Sequence, residues 1–368
     1  MTFIHERAGW PSLRWDLERI ADPLAAVRHR QGRLLGRMEA LGFRLRESAV
    51  LQTLTEDVLA SSAIEGELLS RDQVRSSLAR RLGIAAGGLV PSDRNVEGVV
   101  EMMLDATQHY DAPLSAERLV GWHASLFPGG FSGMRRIHVG GWRTDDTGPM
   151  QVVSGPIGRE RIHFEAPAAD RLAEEMHAFL AWFENDLPPI DPVLKAGIAH
   201  FWFVTIHPFE DGNGRIARAI ADLALARADG TAQRFYSMSN QIRLERSSYY
   251  EALEASQRGG LDVTDWLEWF LACLDRAIIG AEAVLGSVLE KARFWENHPR
   301  EEFNERQRSM LDRLLDGFVG KLTTSKWARL TKCSQDTALR DITDLVERGI
   351  LVREPAGGRS TSYQLASR

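Results

Sequence analysis

Apolar and polar residues alternate with a helical period over most of the chain. From Pro23 to Leu45, and again from Ser48 to Ile64, apolar residues recur at three- and four-residue spacing, the signature of one buried helix face. A Gly-rich break, GIAAGGLVPSD, precedes a further helix from about Asn95 to His109. LSAERLVGWHASLF predicts a helix with Ser115 as its N-cap. Between Gly129 and Pro167 glycines, prolines and short β-branched runs (IHVGGW, MQVVSG, RIHF) predict a β-hairpin on a helical body. Helices resume at Ala168–Asn185 and Val193–Ile206, and a long amphipathic helix is expected from about Arg215 to Ala228. Residues 271–304 read as connecting helices. Beyond Glu305, three short helices are followed by ILVREPAGGRSTSYQL, two strands around a Gly-Gly turn, which is the winged-helix order. The expected fold is mainly α. It divides into a helical N-terminal region (1–110), a central helical domain with a hairpin (111–270), connecting helices (271–304) and a winged helix-turn-helix (305–368).

Composition narrows the class. The 368 residues are 44% hydrophobic, enough for a sizeable core and two or three domains. The net charge of −6 gives no global pull toward nucleic acid or an anionic membrane. Cys273 and Cys333 form neither a disulfide framework nor a zinc-type pair, which suits a reducing cytoplasm. The N-terminus lacks the apolar stretch of a signal peptide. The most apolar run, from Ala277, is interrupted by Glu282 and falls short of the ~20 residues of a membrane span.

The chemistry concentrates in HPFEDGNGRIAR, His207–Arg218, between two predicted helices. Gly212 and Gly214 flank Asn213 just before a helix start, where free N–H groups cradle anions. Arg215 and Arg218, three apart, share one face of that helix and suit a polyphosphate. Asp211 is a lone carboxylate at the cradle's edge, as Mg²⁺ uses when phosphates and water supply its other ligands. His207 is a candidate base.

These twelve residues resemble the Fic motif, HPFx[DE]GNGRxxR, at every defining position. The leader FIHERAGWPSLRWD and the C-terminal module also resemble parts found in bacterial Fic proteins. The resemblance implies a Fic helical core with a β-hairpin flap. It implies AMP transfer from ATP to Ser, Thr or Tyr hydroxyls of proteins, the chain itself among them. In that reaction His207 deprotonates the hydroxyl and Asp211 holds Mg²⁺, with Mn²⁺ as an alternative. Gly212, Asn213 and Gly214 bind phosphate oxygens, Arg215 neutralises charge, and Arg218 reaches the γ-phosphate. Ile216 and Ala217 belong to the same nucleotide-binding stretch. Phe209 anchors the loop in the core. Val204, one turn before His207, is placed on the nucleotide side. RSSYYEALEASQ is similar to the family's adenine-facing helix, so Tyr249, Tyr250 and Gln257 are candidate base contacts. The hairpin of Met150–Ser154 and Arg161–Phe164 resembles the flap that holds a target segment as an added strand. SSAIEG resembles the inhibitory motif [ST]xxxE[GN]: Glu65 pairs with Arg218, and Ser62 borders the nucleotide. Some members with this glutamate also remove AMP.

Residues 305–368 carry 12 Lys and Arg against 8 Asp and Glu, unlike the acidic remainder. DNA binding is therefore open. It is not favoured, because Asp336, Asp341 and Asp344 offset Lys332 and Arg340 in the third helix, leaving Arg359 in the wing as the groove contact. Dimerisation or target docking is preferred for this module. Two alternatives stand beside AMP transfer: a DNA-binding regulator whose Fic unit senses nucleotide, and a Fic transferase with another nucleotide donor.

Overall fold

The structure is a computed structural model; it describes residues 2–40, 43–146, 148–155, 159, 161–185, 189–318, 320–354 and 361–366. The chain forms two compact units, Met1–Ile84 with Leu89–Glu282, and Ala85–Gly88 with Ala283–Arg368.

In the first unit a short 3-10 turn at Ile4–Glu6 leads into α1 (Leu17–Glu39), capped by Asp16, and α2 (Phe43–Ile64). α3 (Arg71–Leu82) and α4 (Arg94–Gln108) follow, separated by the Gly-rich break. α5 (Ala116–Leu126) starts where expected, with Ser115 Oγ accepting from the N–H of Arg118. Two small hairpins come next. β1 (Phe131–Ser132) pairs with β2 (Arg135–Arg136), and β3 (Gln151–Ser154) with β4 (Arg161–Glu165), both antiparallel. The run IHVGGW, expected as strand, forms none. α6 (Leu172–Glu184), α7 (Pro192–Ile206), α8 (Asn213–Asp229), α9 (Met238–Leu244) and α10 (Arg246–Gln257) complete the helical body. The segment expected as connecting helices is one helix, α11 (Thr264–Asn297), within which the boundary between the units falls.

α7 and α8 form the centre of this unit. Every residue of α7 from Val193 to Ile206 is buried except Lys195. α8 is buried from Asn213 to Ala226, apart from a half-buried Gly214. The amphipathic helix expected here is thus corrected to a core helix. The arginines in its sequence mimic a polar face but lie inside, against carboxylates from other elements. Each apolar side chain buried this way contributes ~1.5–3 kcal/mol. The packing fixes the ends of both helices, and with them the loop that joins them.

In the second unit α12 (Glu305–Leu315), α13 (Thr324–Thr331) and α14 (Gln335–Glu347) are capped by Asn304, Thr323 and Ser334, and close around the buried Trp327, Met310 and Leu345. β5 (Leu351–Arg353) pairs antiparallel with β6 (Tyr363–Leu365). The Gly-Gly turn and Arg359 lie outside the described residues. Asp341, one of the acids counted against DNA phosphates, is buried against Arg306 at 2.7 Å. Among the described residues no helix is long and apolar enough to cross a membrane.

Candidate functional site

The loop between α7 and α8 is built from both ends. His207 caps α7 in a left-handed conformation, φ 53°, uncommon for a residue with a Cβ. Arg143, buried to 3% exposure, holds it there: Nε donates to the His207 carbonyl at 2.9 Å, Nη2 donates to the Pro167 carbonyl, and Nη1 pairs with Asp145 at 3.0 Å. Phe209 is fully buried, stacked on His123 with ring centroids 4.2 Å apart, and so anchors the loop. The Asn213 side chain closes it, accepting from the Phe209 N–H at 3.0 Å and donating to the Phe209 carbonyl at 2.8 Å. That side chain, expected on phosphate oxygens, is committed to the loop.

The two glycines serve different needs. Gly212 has φ +81° and packs so close to Phe127 that a Cβ would come within 2.9 Å of its ring. Gly214 makes room for a carboxylate: a Cβ there would lie 2.2 Å from Glu65 Oε1. The Gly212 N–H is taken by Asp211 Oδ1, and the Ile216 N–H donates to the Gly212 carbonyl at 3.0 Å. Asn213, Gly214 and Arg215 therefore present the open first turn of α8, a site for an anion. Ile216 and Ala217 are fully buried behind it.

The Glu65 carboxylate stands over this turn. It pairs with Arg218 Nη2 at 2.9 Å, Arg218 being 1% exposed in its side chain. Arg218 also donates to Ser61, to Oγ at 3.0 Å and to the carbonyl at 2.8 Å. Burial opposes the guanidinium charge, but Glu65, Tyr249 and Tyr250 beside it together more than offset that, so its pKa is raised. Ser62, the expected neighbour of the nucleotide, is fully buried, and its carbonyl accepts the N–H groups of Glu65 and Glu67. The other motif arginine is held in the same way. Arg215 Nη1 pairs with Glu67 Oε2 at 2.7 Å, and the guanidinium lies over the Phe127 ring.

His207 Nδ1 faces the Val204 carbonyl at 3.2 Å. Nδ1 therefore carries the hydrogen, and Nε2 offers its lone pair. Burial pushes the imidazole down to about 4, which keeps it neutral at pH 7. Asp211 Oδ2 accepts from Ser132 Oγ, while Glu210 turns to Arg135 at 3.2 Å and to the His138 N–H. No group of three or more potential metal ligands gathers among the described residues. A single carboxylate with a hydroxyl beside it still fits Mg²⁺ that takes its remaining ligands from phosphates and water.

On α10 the two tyrosines part company. Tyr249 is 2% exposed, with its hydroxyl 2.9 Å from His200 Nε2 and its ring against Trp269, so it is a core residue rather than a base platform. Tyr250 is 40% exposed, with the Arg246 guanidinium over its ring at 5.5 Å. Gln257 donates to Thr205 Oγ1 at 3.3 Å, and Val204 is buried to 8% exposure. The hairpin of β3 and β4 shares a cleft of about 440 Å³ with the loop, lined by Gln151, Val153, Ile162, Arg135 and Glu210.

Sequence reasoning missed Glu67, Ser132 and Arg143, and gave the serine role in SSAIEG to Ser62 where Ser61, the first position of the motif, accepts from Arg218. Glu67 had a signal, a second acid two residues past Glu65 facing a loop with two arginines. Arg143 lies far away in sequence, in an unremarkable turn, and had none.

The fold and this loop define a class: a helical protein presenting a helix N-terminus and two buried arginines to an anionic group. Residues 113–225 match the Fic/DOC family. Residues 3–84 match a domain of unknown function, DUF4172. Similar proteins include "Protein adenylyltransferase Fic" of Nematostella vectensis, 34% identical over 113 residues, which are 30% of this chain and 25% of the relative. "Protein adenylyltransferase fic-1" of Caenorhabditis elegans is 26% identical over 200 residues, 54% of this chain and 36% of the relative. The chain thus spans well under half the length of these relatives. A crystal structure of a Fic family protein from Desulfovibrio desulfuricans G20 shares the fold, with TM-score 0.55, 22% identity, and coverage of 98% of this chain and 99% of that one.

Proposed function

We propose that this protein is an adenylyltransferase that moves AMP from ATP onto Ser, Thr or Tyr hydroxyls of proteins, itself included, and that Glu65 restrains it. The observation that carries the reading is the Glu65 carboxylate over the first turn of α8, paired with Arg218. An anion already stands where the geometry is built to receive one, and the groups beneath it suit a polyphosphate.

In this reading the N–H groups of Asn213, Gly214 and Arg215 take phosphate oxygens, and the guanidinium of Arg215 neutralises charge beside them. Arg218 takes the γ-phosphate once Glu65 has left. His207 Nε2 accepts the proton of the attacking hydroxyl, and Arg143 keeps the ring in position through the His207 carbonyl. Mg²⁺, held by Asp211, would supply further charge neutralisation on the phosphates. Tyr250, with its exposed ring, is the tyrosine that suits the adenine. The β3–β4 hairpin holds the target segment as an added strand, with Val153 and Ile162 offering apolar contact. Glu65 also suits the positioning of a water for AMP removal. We read residues 305–368 as a winged-helix module for target docking or homodimer formation, and the compartment as cytoplasmic.

The test is incubation with α-labelled ATP, and in parallel with other labelled nucleotides, of wild type and Glu65→Gly. Labelling of protein by ATP, stronger in the variant, supports the reading. Labelling by another nucleotide alone reassigns the donor, and labelling by none overturns the transferase reading.

A further inference from the structure

The flap carries a second group of reactive side chains. Ser154 Oγ, exposed at the end of β3, lies 2.6 Å from His163 Nε2 on β4. His163 Nδ1 lies 2.6 Å from Glu254 Oε2 on α10. A ring nitrogen this close to a carboxylate carries the hydrogen, so Nδ1 donates to Glu254 and Nε2 accepts from the serine hydroxyl. Nucleophile, base and orienting acid are thus in line, the arrangement that activates a serine.

Two features hold the group in place. The register of β3 and β4 slips between Val152 and Val153, and His163 is the extra residue, so a bulge re-aims its side chain. Glu254 is pinned by Arg161 at 2.9 Å and Arg258 at 2.8 Å. Arg258 in turn donates to the carbonyls of Ile162 and His163, which ties α10 to β4.

We propose that Ser154 is a modification site, the hydroxyl that accepts the nucleotidyl group when one copy of this protein modifies another. The proposal rests on the transferase reading above. An activated serine still needs donors for the charge that develops on the phosphate. Those donors are the first turn of α8 with Arg215 and Arg218. The chain's own loop is on the wrong side. Gln151 and Val153 face the cleft shared with Glu210, whereas Ser154 contacts His163, whose other ring nitrogen meets Glu254 on α10. The donor loop is therefore that of a second copy. In the step, the bond from Ser154 Oγ to the α-phosphorus forms as the bond from that phosphorus to pyrophosphate breaks. The hydroxyl proton passes to His163 Nε2. The phosphodiester so formed sits beside the Arg161 guanidinium.

The experiment mixes a tagged Arg218→Ala chain, an acceptor without the γ-phosphate contact, with an untagged Glu65→Gly donor and α-labelled ATP. Label is mapped by mass spectrometry. Ser154 of the tagged chain is expected to carry AMP. Placing Ser154→Ala in the acceptor should remove that label, and His163→Gln should lower it about a hundredfold, the scale of a lost general base. Glu254→Gln should act in the same direction. A fluorophosphonate probe, which reacts with activated serines without any nucleotide, should label Ser154 of wild type and lose that labelling in His163→Gln. Label on the tagged chain at other residues only, label at Ser154 indifferent to His163, or a probe-inert Ser154 each overturns the proposal and leaves the transferase reading standing. No label on either chain sinks both.

Discussion

Glu65 Oε1 lies 2.9 Å from Arg218 Nη2 and over Gly214, so one carboxylate covers both the guanidinium and the helix N-terminus. Breaking a buried charge pair by removing one partner costs ~3–5 kcal/mol. If displacing Glu65 takes ~1.5–3 kcal/mol of that, activity is held down by ~10–150-fold, since ~1.36 kcal/mol is tenfold in rate. Glu65→Gly is expected to raise labelling from α-labelled ATP by that factor. Arg218→Ala should not, because it deletes the γ-phosphate contact together with the lock. Equal labelling by wild type and the Glu65 variant, both folded, would defeat the restraint.

Glu67 makes a second, separate prediction. Its pair with Arg215 is 2.7 Å long, with Glu67 one-third exposed and Arg215 nearly buried. Glu65 is exposed to the same degree, but it covers the helix N-terminus as well as a guanidinium, whereas Glu67 holds a guanidinium alone. Glu67→Gln should therefore raise transfer by a smaller factor, ~2–10-fold at ~0.5–1.4 kcal/mol. In Glu65→Gly it should add to the gain, since the carboxylates hold different arginines. Steady-state labelling of the two single variants and the double variant measures both terms.

The reach of sequence reasoning follows from what each residue needs. The loop was legible because an anion site compresses its groups into twelve consecutive positions. Glu65 was legible only through its resemblance to a known motif, and the structure supplies the reason it sits beside glycine: Gly214 has no Cβ to displace it. α8 was misread because burial of an arginine depends on acids 148 and more residues away. The Tyr249 and Tyr250 assignment could not be made from sequence. Adjacent helical residues point about 100° apart, and only α10's packing against Trp266 and Trp269 decides which ring is inside. Arg143 is a tertiary clamp, invisible without the fold.

His207→Ala should lower labelling at every position other than Ser154 by ~10²–10⁴-fold, the usual contribution of a positioned base. ATP binding should persist, since no phosphate contact is assigned to the ring. Alanine in the left-handed region carries a cost of ~1–2 kcal/mol. His207→Asn is the better control, because asparagine tolerates that conformation. Full labelling by a folded Asn variant would remove His207 from the role of base.

Asp211→Ala should weaken the Mg²⁺ dependence of ATP binding. Glu210, the neighbouring acid, is engaged by Arg135 and the His138 N–H, so it is not placed to take over. Titrating Mg²⁺ against ATP binding in wild type and variant reads the effect. An unchanged titration would reassign the metal contact.

Acid should destabilise the first unit through three histidines around the loop. Burial pushes His123 and His207 down to about 4, and His200 to about 3, all from an ordinary 6.5. A folded-state pKa below the unfolded one means the unfolded chain binds protons first as pH falls. The stability these neutral rings contribute is present above about 6.5 and is lost progressively toward 4. Each ring contributes up to ~1.4 kcal/mol of loss per pH unit in that window. His123 and His200 are buried almost completely, so solvent screening reduces their share little, while the half-buried His207 contributes less. The loss from pH 7 to pH 5 should therefore reach several kcal/mol, visible as a steep fall in Tm. Carboxylates with lowered pKa, such as Asp105 and Glu254, act on the acid side of this window and add to the fall below pH 4. Differential scanning calorimetry between pH 8 and 4 reads the slope. A Tm that is flat from pH 6.5 to 5 would mean that these imidazoles are not held neutral, and would remove the basis for placing the His207 lone pair toward the attacking hydroxyl.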